Sequence, residues 1–188
     1  MLKKLLDNGT INIYTDGGCH NESGDLKGIG AWAFTIYDED NADNIIVYAQ
    51  KVIDTTNNRT EMMAVINAIS FCETGSAVNI ISDSGYVVKG YTDPAYLDRW
   101  VSNGWKTSSN KQVSNIDLWQ KIMALSYHYK LSFTHIRGHM KDSNPTHAYW
   151  NSIVDKACTA VMNIDYDGIV KMKYDTKSKS FDIKLEVM

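Results

Sequence analysis

A change of hydrophobic period between Ile53 and Arg59 constrains the fold of this chain more than any other feature. Before it, Ile11–Thr15 alternates apolar and polar residues and runs into Asp16-Gly17-Gly18, a turn signal. Gly28–Tyr37 and Ile45–Ile53 read as two further extended segments. The short spacers predict an antiparallel meander. From Arg59 onward, Met62, Ile66 and Ile69 recur at helical spacing, with Val65 and Cys72 widening the stripe. Val78–Ser82 reads as a buried strand ending at Asp83. Short helices are predicted near 84–90 and 94–101, and a longer one over Ile116–Tyr129. Leu131–Ile136 is a fifth strand, Arg137–Tyr149 an irregular loop with Gly138 and Pro145, and Asn151–Met162 a helix. The order βββ-α-β-α-α-β-α predicts an α/β fold, a mixed five-stranded sheet with helices packed on it.

Beyond Asn163 the pattern changes again. Phe181, Ile183, Leu185 and Val187 alternate with polar residues after a Thr-Lys-Ser-Lys stretch, and Ile169, Met172 and Tyr174 precede it. This reads as a β-hairpin appendage over 164–188, following a main domain over 1–163. An isolated hairpin is marginal, so it must dock on the domain or on another chain.

With 188 residues, 44% apolar and 22% charged, the chain can build a core and is not a disordered polyelectrolyte. No run approaches 18 apolar residues, so no membrane span is expected. Met1–Asp7 carries two lysines with no apolar run behind them, so no secretory leader is expected. Cys19, Cys72 and Cys158 are odd in number and widely spaced, which fits a reducing, cytoplasmic setting.

Asp16, Glu61, Asp83 and Asp155 each fall at a predicted element boundary. Each has a structural reading: Asp16 opening a turn, Glu61 completing an Asn58-x-x-Glu61 capping box, Asp83 capping the next helix, Asp155 completing a Ser152-x-x-Asp155 box. Their joint placement points elsewhere. If the first and fourth strands are parallel neighbours, Asp16 and Asp83 emerge at one sheet edge, where helix starts could bring Glu61 and Asp155. Four carboxylates together repel unless a hard divalent cation lies among them, and oxygen-only ligands favour Mg²⁺ or Mn²⁺ over zinc.

Seven motifs then occur in a familiar order: Tyr14-Thr-Asp16-Gly-Gly-Cys19, Thr56-Asn-Asn-Arg-Thr-Glu61, Ser82-Asp83-Ser84-x-Tyr86-Val87, Gly104-Trp-Lys-Thr107, Asp117-Leu-Trp-Gln120, Gly138-His139 and Asn151-x-x-x-Asp155. Over roughly residues 11–162 the chain resembles the type 1 ribonuclease H family. The resemblance implies a ribonuclease H-like fold, with three antiparallel strands followed by parallel ones. It also implies a Mg²⁺-dependent endonuclease that hydrolyses the RNA strand of RNA–DNA hybrids, leaving 5′-phosphate and 3′-hydroxyl ends. Two Mg²⁺ ions, replaceable by Mn²⁺, would be held by Asp16, Glu61, Asp83 and Asp155. His139 would assist proton transfer or product release, with His147 as a competitor because the loop around Lys141–Tyr149 is longer than is usual in the family; His135 is expected to pack. Gly18, Cys19, Asn57 and Asn58 would line the minor groove. Thr56, Arg99 and Arg137 would hold a phosphate of the DNA strand. Trp100, Trp105 and Lys106 would form a substrate-binding protrusion poorer in basic residues than that of the bacterial enzymes with a basic one. The partner is an RNA–DNA hybrid and the expected state a monomer.

The alternatives are another nuclease of the same superfamily, an unrelated Mg²⁺ phosphatase, and a catalytically inactive nucleic-acid-binding or polymerase-associated module. An inactive module would be expected to lack one of the four carboxylates. The formal net charge of -3 looks unfavourable for a polyanionic partner. It is unevenly distributed: residues 99–141 hold 7 Lys+Arg against 1 Asp+Glu, while residues 1–61 hold 5 against 10.

Overall fold

The computed structural model describes residues 9–20, 28–38, 44–138 and 143–184. Three expectations fall outside those residues: His139, the start of the long loop, and the alternation at Leu185 and Val187.

The elements run β1 (Thr10–His20), β2 (Gly28–Ile36), β3 (Ile45–Thr55), α1 (Asn57–Ser70), β4 (Ala77–Ser82), α2 (Gly85–Thr92), α3 (Leu97–Ser102), α4 (Ile116–Ser126), β5 (Lys130–His135), α5 (Pro145–Met162), β6 (Val170–Asp175) and β7 (Ser180–Lys184). The mixed sheet and flanking helices are as the sequence predicts. The strand count is not: one sheet of seven strands runs in the order β5-β4-β1-β2-β3-β6-β7. β1 pairs parallel with β4, and β4 with β5; every other pairing is antiparallel. The hairpin is therefore an extension of the main sheet.

Alternation along the strands divides the core in two. Ile11, Ile13, Trp32, Phe34 and Ile80 face α1 and α4, meeting Met62, Val65, Ile69, Trp119 and Ile122. Tyr14, Ala31, Ala33, Val47 and Ala49 face α5, meeting Trp150, Ile153, Val154, Ala157 and Val161. Val170, Met172 and Tyr174 of β6 join this second core and are at most 1% exposed, which is why the hairpin docks. Burying an apolar side chain of this size contributes about 1.5–3 kcal/mol. The connection from α5 is tied to β3, where Gln50 donates to the Asp167 carbonyl at 2.6 Å and Lys51 donates to the Ile164 carbonyl.

Two boundaries depart from the sequence reading, and both bear on the site. β1 does not turn at Asp16-Gly17-Gly18 but continues in register with β2 to His20. α5 begins at Pro145, not Asn151: the Asn144 side chain accepts from the Thr146 N–H at 2.9 Å, and Pro145 occupies the first turn, where a missing N–H costs nothing.

Candidate active site

Each proposed capping role for the carboxylates is taken by another group. α1 is capped by Thr56, without a side-chain bond, and Glu61 lies beyond its first turn. α2 is capped by the Ser84 hydroxyl, which accepts from the Val87 N–H at 3.4 Å. Asp155 sits ten residues into α5, so Ser152 and Asp155 form no capping box. The carboxylates are left for one another.

Parallel pairing of β1 with β4, Tyr14 opposite Ile81, brings Asp16 and Asp83 to the same edge. α1 adds Glu61. Carboxylate oxygens of Asp16, Glu61 and Asp83 all lie within 4.8 Å of one another. Asp155, exposed on α5, stands outside this trio but lines the same cleft, which has a volume of about 240 Å³. Gly17 permits the approach of α1. A Cβ there would lie 2.2 Å from the Glu61 backbone nitrogen.

The cleft is acidic, and its Asp16 and Glu61 carboxylates are buried. Burial, then the charges of Asp83 and Asp155, hold the Asp16 carboxyl well above the usual carboxylate range, against a 2.8 Å hydrogen bond from the Gly17 N–H. Burial, then Asp16 and Asp83, push Glu61 up in the same way. Glu61 Oε2 is buried with no hydrogen-bond partner among the described residues. An orphaned carboxylate oxygen facing two other carboxylates fits a hard divalent cation. Cys158 is not a ligand of that kind. Burial and the neighbouring carboxylates keep its thiol protonated, and it donates to the Asp16 carbonyl at 3.5 Å.

Among the residues assigned to substrate, Gly18, Cys19 and Asn57 line the cleft beside the carboxylates. Thr56 and Asn58 flank Asn57 at the start of α1. Arg99, Trp100, Trp105 and Lys106 occupy a separate segment. Trp100 packs against Trp119 of α4 with the rings tilted by 58° and their centroids 5.4 Å apart, and Trp105 has a left-handed backbone with φ 61°. Arg137 is exposed just after β5. The His147 ring is committed to the Tyr14 hydroxyl at 2.8 Å. His135, expected to pack, is exposed, its Nε2 3.3 Å from the Asp83 carbonyl.

Three residues of the quoted motifs contribute in ways to which the sequence reading assigned no role. Asn151, 3% exposed, donates to Asp83 Oδ2 at 3.2 Å. The quoted Asn151-x-x-x-Asp155 spacing puts it on the same helix face as Asp155, the signal that points to a role beside the carboxylates. Gly138 backs Asp83, and a Cβ there would lie 2.1 Å from Oδ2. Arg59 grips both oxygens of Asp117 at 2.9 and 2.7 Å, tying the first turn of α1 to α4. The pair raises Arg59 and lowers Asp117. A lowered carboxylate contributes stability above its unfolded value and loses it as pH falls through the folded one. Because Asp117 is half exposed, Arg59→Ala is expected to cost about 1 kcal/mol, or roughly 2–4 °C in a thermal melt. The loss should be constant from about pH 5 to 8, since both groups stay charged there. A wild-type melting temperature in the variant would show that the pair contributes nothing.

The sequence profile of the RNase H family matches residues 8–163. The chain belongs to the ribonuclease H family. It is 36% identical to a ribonuclease H of Acetivibrio thermocellus over 150 residues, 79% of this chain and 92% of that one. It is 40% identical to a ribonuclease H of Chlorobaculum parvum over 130 residues, 69% and 84% of the two chains. The solution structure of the PFV RNase H domain superposes with a TM-score of 0.66 at 22% identity, covering 83% of this chain and 97% of that one, which shows the shared fold. As a ribonuclease H the chain is a hydrolase, and the acidic trio lies within the matched stretch. β6 and β7 lie beyond it.

Proposed function

We propose that this ribonuclease H hydrolyses the RNA strand of RNA–DNA hybrids at the Asp16–Glu61–Asp83–Asp155 cleft, with two Mg²⁺ as its cofactors and Mn²⁺ as a substitute. The observation that carries the reading is the carboxylate trio, buried at Asp16 and Glu61 and half-buried at Asp83, with an orphaned Glu61 oxygen, in a chain of this family. Asp16, Glu61 and Asp83, with Asp155 in the same cleft, would hold these cations. When bound, such a pair activates a water and stabilises the departing 3′ oxygen, leaving a 5′-phosphate.

The protein's own groups prepare this. Asn151 and Gly138 fix the Asp83 carboxylate. Gly18, Cys19 and Asn57 line the cleft, placed to read the minor groove, where an RNA strand shows 2′-hydroxyls and a DNA strand does not. His139 assists proton transfer or product release. Trp100, Trp105 and Lys106 grip one arm of the duplex, and Thr56, Arg99 and Arg137 its DNA phosphates. The catalytic domain is residues 1–163, with 164–188 as its appendage. One chain carries all four carboxylates, which supports a working monomer. The buried free thiols of Cys72 and Cys158 support a cytoplasmic setting.

The test is incubation with labelled RNA–DNA hybrid, RNA duplex and DNA duplex, in Mg²⁺ or EDTA. Cleavage confined to the RNA of the hybrid, and abolished by EDTA, is expected. Equal cleavage of the DNA duplex, or activity surviving EDTA, would overturn the proposal.

A further inference from the structure

Asparagine is a weak helix former because its carboxamide competes for backbone hydrogen bonds. Asn67 in α1 and Asn163 at the end of α5 show the usual outcome. Each donates to the carbonyl four residues back, to Met63 at 2.8 Å and to Thr159 at 2.9 Å, and neither is fully buried. Asn151, within α5, behaves differently on both counts. It is 3% exposed, and its Nδ2 donates to Asp83 Oδ2 at 3.2 Å.

That contact fixes the direction of the amide. An ionised carboxylate only accepts, so the nitrogen must face Asp83 and the carbonyl oxygen must turn away. Asn151 Oδ1 then has no hydrogen-bond partner among the described residues. The same holds there for Thr15 Oγ1, Thr55 Oγ1 and Glu61 Oε2. The two threonines do not line the cleft, whereas Glu61 and Asn151 both do. Two orphaned acceptors therefore belong to one site, and a buried acceptor without a partner calls for a donor.

The neighbouring side chains do not provide it. Carboxylates only accept. The Cys158 thiol is committed to the Asp16 carbonyl at 3.5 Å, and the Thr159 hydroxyl to the Asp155 carbonyl at 3.4 Å. Asn151 touches Asp83 and stands one helical turn from Asp155, at a Cβ separation of about 5–6 Å. A cation held among these carboxylates brings donors of its own. Mg²⁺ keeps several waters when one or two carboxylates bind it, and its charge makes their protons stronger donors.

We infer that Asn151 Oδ1 accepts a hydrogen bond from a water in the shell of the cation held at Asp83. The carboxamide then acts on both sides of the site, with its nitrogen on the carboxylate and its oxygen on the cation's water. The inference rests on the proposed cation site.

Mg²⁺ affinity is measured on the full chain without nucleic acid, by calorimetry and by the rise in melting temperature with Mg²⁺. Wild type is compared with Asn151→Leu, Asn151→Asp and Thr159→Asp. Leucine has the shape of asparagine and neither polar atom. It should weaken Mg²⁺ binding by about 10–100-fold, the usual loss when an outer partner of a metal site is removed. Its melting temperature in EDTA should stay at or above that of the wild type, because the orphaned oxygen is gone. Aspartate at 151 keeps the outward oxygen and loses the donor to Asp83. Thr159→Asp adds the same charge to α5 one turn beyond Asp155 and calibrates the effect of charge alone. Asn151→Asp is expected to bind Mg²⁺ at least as tightly as Thr159→Asp. Cobalt(III) hexaammine, whose ligands do not exchange and can only donate hydrogen bonds, should bind Asn151→Leu more weakly than wild type, as Mg²⁺ does.

Weaker Mg²⁺ binding in Asn151→Asp than in Thr159→Asp would mean that the amide acts only through its donor to Asp83, and would overturn the inference. So would a fall in Mg²⁺ affinity of Asn151→Leu with cobalt hexaammine binding unchanged. Wild-type Mg²⁺ affinity in Asn151→Leu with a raised KM for hybrid would assign Oδ1 to the substrate instead. Wild-type Mg²⁺ affinity with a lower melting temperature in EDTA would make Asn151 a residue of the fold. If the wild type binds no Mg²⁺, the proposed cation site fails; if it binds and Asn151→Leu matches it, this inference alone fails.

Discussion

Asp16→Asn is expected to lower hybrid cleavage in Mg²⁺ by about a thousandfold or more, and at the same time to make the metal-free protein more stable. The first effect follows from the position of Asp16 at the centre of the cleft. Its carboxylate meets those of Glu61 and Asp83 and would be a ligand of any cation held among them. A thousandfold corresponds to about 4 kcal/mol of transition-state stabilisation, within the several kcal/mol that metal-ion catalysis supplies. The second effect follows from the cost of ionising the same group. Burial and two neighbouring carboxylates raise the folded-state affinity of Asp16 for its proton, so the folded chain holds that proton to higher pH than the unfolded chain does. Stability is then lost as pH rises from about 4 through the folded value. Asparagine carries no such penalty and can still accept the Gly17 N–H. Thermal melts in EDTA should therefore show the Asp16→Asn variant above wild type at neutral and alkaline pH, with the gap closing toward pH 4. Saturating Mg²⁺ should narrow the gap by stabilising the wild type more than the variant. A variant that keeps activity within tenfold of wild type, or melts below it in EDTA at pH 8, would remove Asp16 from the metal site.

The same cleft shows what a one-dimensional reading can and cannot recover. Strands β1 to β5 and their helices were legible because each buries a periodic stripe, as in the Ile11/Ile13 and Met62/Val65/Ile69 sets. The carboxylates were legible as a group because their types and spacing have few purposes in common. Asp16-Gly17-Gly18 misread as a turn because its glycine is required by tertiary contact: Gly17 is small so that Thr60 and Glu61 can pass over the strand. Pro145 misread as loop because a proline serves equally as a breaker and as the first residue of a helix. The β6-β7 alternation was visible, but the strand edge that would receive it was not, since nothing local in Ile45–Ala49 distinguishes a central strand from an edge. The Arg59–Asp117 pair joins residues 58 apart through exposed groups with no periodic signature. Asn151 was visible in its motif, but its partner was not, because Asp83 lies 68 residues away on another element.

Gly17→Ala should cost both fold and activity, while Gly85→Ala, at the same end of the sheet, should cost neither. The added methyl at Gly17 would lie 2.2 Å from the Glu61 nitrogen, 2.5 Å from the Thr60 carbonyl carbon and 2.7 Å from the Glu61 Cα. All three are backbone atoms, so no side-chain rotation relieves the clash, and the start of α1 must move off β1 by about 1 Å or more to reach ordinary contact. Forced overpacking of this kind costs about 1–3 kcal/mol and at times more. Glu61 and Asn57 would be carried away from Asp16 and Asp83, and a misplacement of about 1 Å can cost about a hundredfold in rate. At Gly85 the methyl would meet only the His135 Nε2 at 3.8 Å, an ordinary contact, and the residue opens α2, where alanine favours the helix. Melting temperature and kcat should thus fall together in Gly17→Ala, with the loss of kcat exceeding what the unfolded fraction at the assay temperature explains. The double variant Gly17→Ala/Glu61→Gln separates the two causes. Removing the Glu61 carboxylate should reduce the activity of Gly17→Ala far less than it reduces that of the wild type, because the displaced group has already left the cleft. Equal reductions in both backgrounds would mean that the methyl group acts on stability alone.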